Sequence, residues 1–420
     1  MHEFKYKNSL LYCEKMKVED VAQKVPTPFY LYSYNTLISH YQKLKTAFSR
    51  LRPLICYSMK ANSNLALCRA LVKSGAGLDI VSGGELYKAL LTGCPAQKIV
   101  YASVGKTEEE IRQAVSRGIL FFNVESVAEL ELINKVASDI GTEATVALRI
   151  NPDVEPKTHS YITTGKLTNK FGLDFDTAYE ILRKKDTFGR LKFSGLHMHI
   201  GSQIIQARPY VLAVKKIVKF IGRLKKERIH IEYLNIGGGL GILYRDEKPQ
   251  TADEFAKKIV PILKGTGLKI ILEPGRFIVG SAGILVTKIL YIKNTPIKNF
   301  VIVDAGMNDL IRPSLYGAYH QIIPLQKASD KGAAIKADVV GPICESGDFF
   351  AKERMLPAVN EGERLAIMSA GAYGFSMASN YNCRLKPAEV MVKGDKFYIV
   401  RKRDSYVDLA RKDVIPDFLK

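Results

Sequence analysis

The chain has 420 residues, 47% of them hydrophobic, and its 62 lysines and arginines against 42 acidic residues give a formal charge of +20. That length buries a large core and fits two domains, or one barrel with an appendage; glycine or charge breaks every apolar run well short of a membrane span. The N-terminal MHEFKYKNSLLYCEKMKVED mixes charges throughout, so no signal peptide is expected, and the six cysteines (13, 56, 68, 94, 344, 383) form no C-x-x-C pair, which favours reduced thiols in a cytoplasmic protein over a disulfide frame or zinc site.

In chain order, Thr27-Pro-Phe-Tyr-Leu-Tyr is strand-like. From Leu54 to Glu273 short apolar or β-branched runs then recur: Leu54–Met59, Leu78–Val81, Ile99–Ala102, Phe121–Val124, Thr145–Ile150, Phe193–His197, Tyr233–Ile236 and Lys269–Leu272. Helical periodicity fills the intervals, over Leu65–Val72, Glu85–Leu91, Glu108–Val115, Val127–Val136, Thr177–Leu182, Val211–Leu224 and Ala252–Leu263. Strands alternating with helices predict a (β/α)8 TIM-type barrel over residues 37–280, with a doubly wound open sheet as the rival. The connection from Asn151 to Leu173 is long and polar and is expected to pack near the barrel mouth.

Lys215, Lys216, Lys219, Arg223, Lys225, Lys226 and Arg228 concentrate positive charge. Ile217, Val218, Phe220, Ile221 and Leu224 interleave with them at helical spacing, so the segment reads as the solvated face of an amphipathic helix rather than a nucleic-acid surface. After Gly275 the texture changes. Ile284–Ile292, Asn299–Val303, Ala334–Val340, Arg364–Met368, Ala388–Val392 and Lys396–Arg401 read as strands with little helix between them. They predict a second, mostly β domain, assigned to residues 281–420 together with 1–36.

Several reactive or anion-binding groups fall at or just past strand ends: Lys60, Asp79, His199, Gly237 to Gly239 and Glu273. In a closed barrel those ends converge on one mouth, whereas an open sheet spreads them along an edge. Lys60 ends the apolar run Ile55-Cys-Tyr-Ser-Met, an amine placed to condense with an aldehyde. Asp79 is either its neighbour or the cap of the helix after Ser82-Gly-Gly-Glu85. The glycine triplet can turn backbone N–H groups onto an anion. His197 and His199 share a strand face, but no cysteine or carboxylate triad accompanies them, so no metal is expected. Gly341-Pro-Ile-Cys344-Glu345-Ser-Gly-Asp348 offers a thiol beside a carboxylate in a glycine-flanked turn, and a thiol is a serviceable acid near neutral pH. The other cysteines lie in or beside apolar segments and read as packing residues.

The set YSMKAN, DIVSGGEL, GLHMHIGSQ, NIGGGLG, EPGR, GPICESGD and GAYGFSMASNYN, in this order over nearly the whole chain, resembles the alanine-racemase-fold (fold type III) pyridoxal-phosphate decarboxylases. The resemblance implies pyridoxal 5'-phosphate held by Lys60, with Asp79 beside it and His199 against the ring. It puts the phosphate on Ser202, Gly237, Gly238, Gly239, Gly275, Arg276 and Tyr373, and Glu273 against the pyridine nitrogen. A carboxylate there keeps the ring cationic, which suits decarboxylation and argues against racemisation. Arg276, Arg312, Tyr316, Glu345 and Tyr373 would bind substrate, although Tyr373 between small residues also reads as a core tyrosine. Cys344 would protonate the α-carbon. Cys344 and Glu345 would reach the partner's cofactor in a homodimer.

Within that family the likeness is greatest to members acting on meso-2,6-diaminopimelate, which implies release of carbon dioxide to give L-lysine, the last step of lysine biosynthesis. The distal carboxylate of that substrate suits the guanidinium fork of Arg312. Ornithine, arginine and carboxynorspermidine decarboxylation are the alternatives. Replacing Lys60 with alanine is expected to abolish both turnover and the borohydride-reducible chromophore; full activity in that variant excludes the assignment.

Overall fold

The computed structural model describes residues 2–155, 164–165, 169–327 and 334–419. The expected connection Asn151–Leu173 therefore lies partly outside the described residues. The chain divides into two compact units, Ile38–Ile278 and a second made of Met1–Leu37 with Val279–Lys420.

In the first unit eight parallel strands close into a barrel. They are Leu54–Ser58, Gly77–Ile80, Ile99–Ala102, Phe121–Val124, Ala144–Arg149, Leu191–His197, Tyr233–Asn235 and Lys269–Leu272. Neighbours in sequence pair in parallel, and Leu272 meets Ile55 to close the ring, so the open-sheet alternative is excluded. Each strand stands within about two residues of its expected position. Most of the helices between them start on side-chain caps, Arg208–Lys226 being an exception. Ser82, Thr107, Ser126, Asp174 and Thr251 each accept a backbone N–H of their helix, and Thr107 and Thr251 form capping boxes with Glu110 and Glu254. The basic helix spans Arg208–Lys226 and buries Ile217, Phe220, Ile221 and Leu224, leaving its lysines to solvent.

Strand periodicity of two decides what fills the barrel. Cys56, Val100, Phe121, Ala147 and Ile271 form one buried apolar layer, packed by Leu54, Leu120 and Tyr233. Two residues further along the same strands stand Ser58, Ala102, Asn123, Arg149, Asn235 and Glu273, a mostly polar layer that is also buried. Asp79 and His197 continue it from Gly77 and Gly195, whose missing Cβ atoms leave room for Cys56 and Tyr233: a Cβ on Gly77 would lie 2.9 Å from Cys56 Sγ, and one on Gly195 3.0 Å from Tyr233 Cβ. The apolar layer closes one end of the barrel, and the polar layer opens at the C-terminal ends of the strands.

The second unit is built on a nine-stranded sheet whose longest member, Gly283–Asn294, pairs with three others along its length: Phe29–Ser33 and Arg364–Ile367 near its start, Asn299–Val303 near its end. The strand-like N-terminal segment does join this sheet, parallel to Ala388–Lys393. Strands Phe349–Leu356 and Ile322–Pro324 and the N-terminal hairpin Phe4–Lys7 with Leu10–Cys13 were not evident in the sequence. Charge interrupts Phe4–Lys7 and Phe349–Leu356 and proline ends Ile322–Pro324, so pairing rather than an apolar run holds these three. The core gathers Phe29, Leu31, Ile284, Val286, Ala366 and Val390.

Candidate active site

The barrel's polar layer is organised around one carboxylate. Glu273, 4% exposed, follows the last strand, and its main chain is fixed by the N–H bond to Gly237 O at 2.8 Å. Oε1 accepts from Asn123 Nδ2 at 3.0 Å and Asn235 Nδ2 at 2.5 Å, and Oε2 lies 3.1 Å from His197 Nε2. Since the carboxylate accepts, His197 carries its proton on Nε2, and its buried Nδ1 has no hydrogen-bond partner among the described residues. Burial opposes the charge on Glu273, but His197, the Lys60 ammonium and the Asn235 amide outweigh it, holding the carboxyl well below its usual range. Three donors leave the carboxylate one further hydrogen bond to accept.

Asp79 is fully buried on the second strand. It accepts from Ser58 Oγ and from Lys60 Nζ, the latter at 3.2 Å. Burial and the Glu273 charge push it up to about 6, against the pull of Lys60 and Ser58. Ser82 caps the following helix, so Asp79 is not a cap. Lys60 stands on the turn Met59–Ala61 just past the first strand, its side chain 36% exposed toward the open end. Two carboxylates in one layer thus have opposed tendencies: Glu273 stays ionised and Asp79 exchanges its proton near neutrality.

His199 Nδ1 accepts the Gly238 N–H at 3.3 Å, which leaves its proton on Nε2. Burial, and then the Lys60 and Arg149 charges, hold its imidazole well below its ordinary pKa, so it is a neutral ring. The glycine triplet is sterically required. A Cβ on Gly238 would sit 2.0 Å from Glu273 O, and one on Gly239 2.2 Å from Gly201 O with φ at +103°. Beside it Arg276, 5% exposed, donates through Nε to Ser202 Oγ at 3.3 Å and through Nη1 to Tyr244 OH at 2.7 Å. Gly275 is packed against Ser58 and Ala61, where a Cβ would come within 3.1 Å. Lys60, Asp79, His199, Ser202, Gly237 to Gly239, Glu273, Gly275 and Arg276 thus gather at one end of the barrel.

Lys106 is buried and binds Glu129, at 2.5 Å, and Asn123 O, at 3.0 Å, while Arg149 of the polar layer pairs with Glu125 at 2.6 Å. Asn123, Asn235, Ser58 and Lys106 were not singled out from sequence. For Ser58, Asn123 and Asn235 the available signal was a polar residue one position before the end of an apolar strand run; Lys106 lies outside any such run.

The remaining expected residues belong to the second unit. The turn after Val340 is stapled by Asp348, whose carboxylate accepts from Met307 N at 2.7 Å and Ile343 N at 2.6 Å. It presents Cys344 and Glu345 exposed to solvent, and Cys344 N donates to Asn382 Oδ1 at 2.8 Å. Cys383 is also exposed, which corrects its reading as a packing residue; Cys13, Cys56, Cys68 and Cys94 are buried as expected. Arg312, 6% exposed, opens the helix Arg312–Tyr316, with Tyr316 half-buried at its end. Tyr373 is half-buried with φ at +56°, a strained conformation for a bulky residue and unlike an ordinary core tyrosine. Among the described residues no group of three metal-ligating side chains occurs, and no helix is long and apolar enough to cross a membrane.

Residues 34–280 match the family model "Pyridoxal-dependent decarboxylase, pyridoxal binding domain", and the chain belongs to that family. Within it, the chain is similar to the diaminopimelate decarboxylases. It is 47% identical to that of Aquifex aeolicus, covering 96% of this chain and 95% of the relative, and 46% identical to that of Vibrio cholerae, covering 99% and 100%. The crystal structure of diaminopimelate decarboxylase from M. jannaschii in co-complex with L-lysine superposes with a TM-score of 0.95 at 39% identity, over 100% of both chains.

The folded barrel holds the Asp79 proton more tightly than the unfolded chain does. The stability this contributes is complete below about pH 4 and is lost as pH rises through about 6. Infrared difference spectra between the ligand-free protein and its Asp79→Asn variant should show a protonated-carboxyl band that titrates near pH 6. A band already absent at pH 5 contradicts the assignment.

Proposed function

We propose that the chain decarboxylates meso-2,6-diaminopimelate to L-lysine with pyridoxal 5'-phosphate, as a cytoplasmic homodimer. The observation that carries this reading is Glu273, a buried carboxylate kept ionised by His197, the Lys60 ammonium and asparagine amides, with donors from three strands and room for one more hydrogen bond. An anion so fixed suits a ring nitrogen that must stay protonated.

The residues present fit the cofactor. Lys60 supplies the amine that holds the aldehyde carbon, and Asp79 3.2 Å away takes or returns the amine's proton. The neutral His199 imidazole can lie against a flat ring without adding charge. The side-chain-free cradle of Gly237, Gly238 and Gly239, with Ser202, Gly275, Arg276 and Tyr373, suits the phosphate. Pyridoxal phosphate, once bound, supplies an electron-poor ring that accepts the electron pair freed when carbon dioxide departs. Arg276 and Arg312 can each take a substrate carboxylate, and Tyr316 and Tyr373 are proposed as further substrate contacts. Glu345 takes the distal ammonium. Cys344 Sγ delivers a proton to the α-carbon. The exposure of Cys344 and Glu345 on a rigid turn supports their reaching the partner subunit's site.

Carbon dioxide release from the cofactor-loaded protein is expected with meso-2,6-diaminopimelate and not with ornithine, arginine or carboxynorspermidine; a preference for any of these excludes the substrate assignment. In the same assay Cys344→Ala should lower L-lysine formation by roughly 100-fold with cofactor affinity unchanged, and equal losses in both contradict its role as acid.

A further inference from the structure

Arg312 does not stand alone in its wall of the β unit. Its Nη1 lies 2.9 Å from His320 Nε2, and His320 Nδ1 lies 2.8 Å from Met368 O. The protonation of this chain of contacts follows from its ends. A backbone carbonyl only accepts, so Nδ1 carries the proton; a guanidinium only donates, so Nε2 presents its lone pair. His320 is therefore a neutral imidazole in one tautomer, fully buried.

Its frame is also fixed. Strand Ile322–Pro324 pairs antiparallel with Arg364–Ile367, and Met368 N donates to Gln321 O at 2.8 Å, which sets Met368 O beside the ring. Arg354 Nη1 donates to His320 O at 3.0 Å while its guanidinium lies over the Tyr319 ring at 4.0 Å. The imidazole is thus clamped at its backbone and at Nδ1, and its only remaining ring nitrogen points at Arg312. Unlike a carboxylate, this partner orients the guanidinium without neutralising it.

We propose that His320 is a positioning residue that aims the Arg312 guanidinium, through the Nη1–H to Nε2 bond, at the distal carboxylate of the substrate. It thereby sets specificity for amino acids carrying a second amino-acid head. This rests on Arg312 being the ligand of that carboxylate.

The side chains of asparagine and glutamine separate the two bonds. An asparagine amide reaches the Nδ1 position and can still donate to Met368 O but stops short of Arg312; a glutamine amide reaches the Nε2 position and can still accept from Arg312. In the cofactor-loaded full chain, His320→Asn should raise KM for meso-2,6-diaminopimelate by roughly ten-fold or more and leave kcat within about three-fold. His320→Gln should recover most of that loss. L-Lysine retains the distal carboxylate, so its Kd by calorimetry should weaken in parallel in His320→Asn, whereas the Kd of cadaverine, the same chain without that carboxylate, should not move. Parent-like KM and lysine affinity in His320→Asn overturn the proposal. So does an equal loss of lysine and cadaverine binding accompanied by a lowered Tm, which marks a merely structural role. Arg312→Ala with unchanged KM would remove the distal-carboxylate reading itself, and the proposal with it; a raised KM there beside a parent-like His320→Asn overturns the proposal alone.

Discussion

A buried anion at the centre of the barrel governs the rest of the site. Removing a carboxylate from water costs several kcal/mol unless hydrogen bonds replace its hydration. Glu273 receives those bonds from Asn123, His197 and Asn235, which come from three different strands. The arrangement therefore exists only if the barrel closes in one register. A slip of one residue would turn each of those side chains out of the interior and strand the charge. The alternation that places an apolar layer of Cys56, Val100, Phe121, Ala147 and Ile271 beneath is the same alternation that lifts the donors to the right height.

The same residue also shapes the glycine triplet. The carbonyl of Glu273 lies where a Cβ of Gly238 would be, and its N–H holds Gly237 O. Backbone and side chain of one position thus serve two parts of the site, the carboxylate turned inward and the main chain against the glycines. Asp79 completes the electrostatics by yielding to Glu273: with one carboxylate firmly ionised, its buried neighbour is driven toward the neutral form and keeps an exchangeable proton beside Lys60. Two carboxylates of similar intrinsic acidity acquire different roles from their surroundings alone.

The β unit uses backbone constraint in place of a charged layer. Asp348 staples the turn that exposes Cys344 and Glu345, and a Cβ at Gly341 would come within 2.5 Å of that staple. Tyr373 is held in a left-handed conformation between small neighbours, and His320 is locked into one tautomer by a carbonyl. In each case a side chain is fixed through main-chain atoms.

The barrel was legible because its signals are local. Apolar runs ended by turn residues, helical periods opened by Ser or Thr, and a lysine or glutamate just past a run all depend on neighbours in sequence, and the strands stand where those signals put them. Lys60, Glu273 and the glycine triplet were visible for the same reason. What the sequence could not carry is pairing. Nothing near Asn123 or Asn235 announces that each will meet Glu273, 150 and 38 residues away. Nothing near Asp79 says that Ser82 takes the cap and frees the carboxylate for Lys60. The exposed position of Cys383 and the strand Phe349–Leu356 likewise depend on what packs beside them. One-dimensional order determined which residues could do chemistry and on which elements they lie. Only closure of the chain in space decided which of them share a proton or a charge, because those energies fall off within a few ångströms and the partners are brought that close by the register of the sheet.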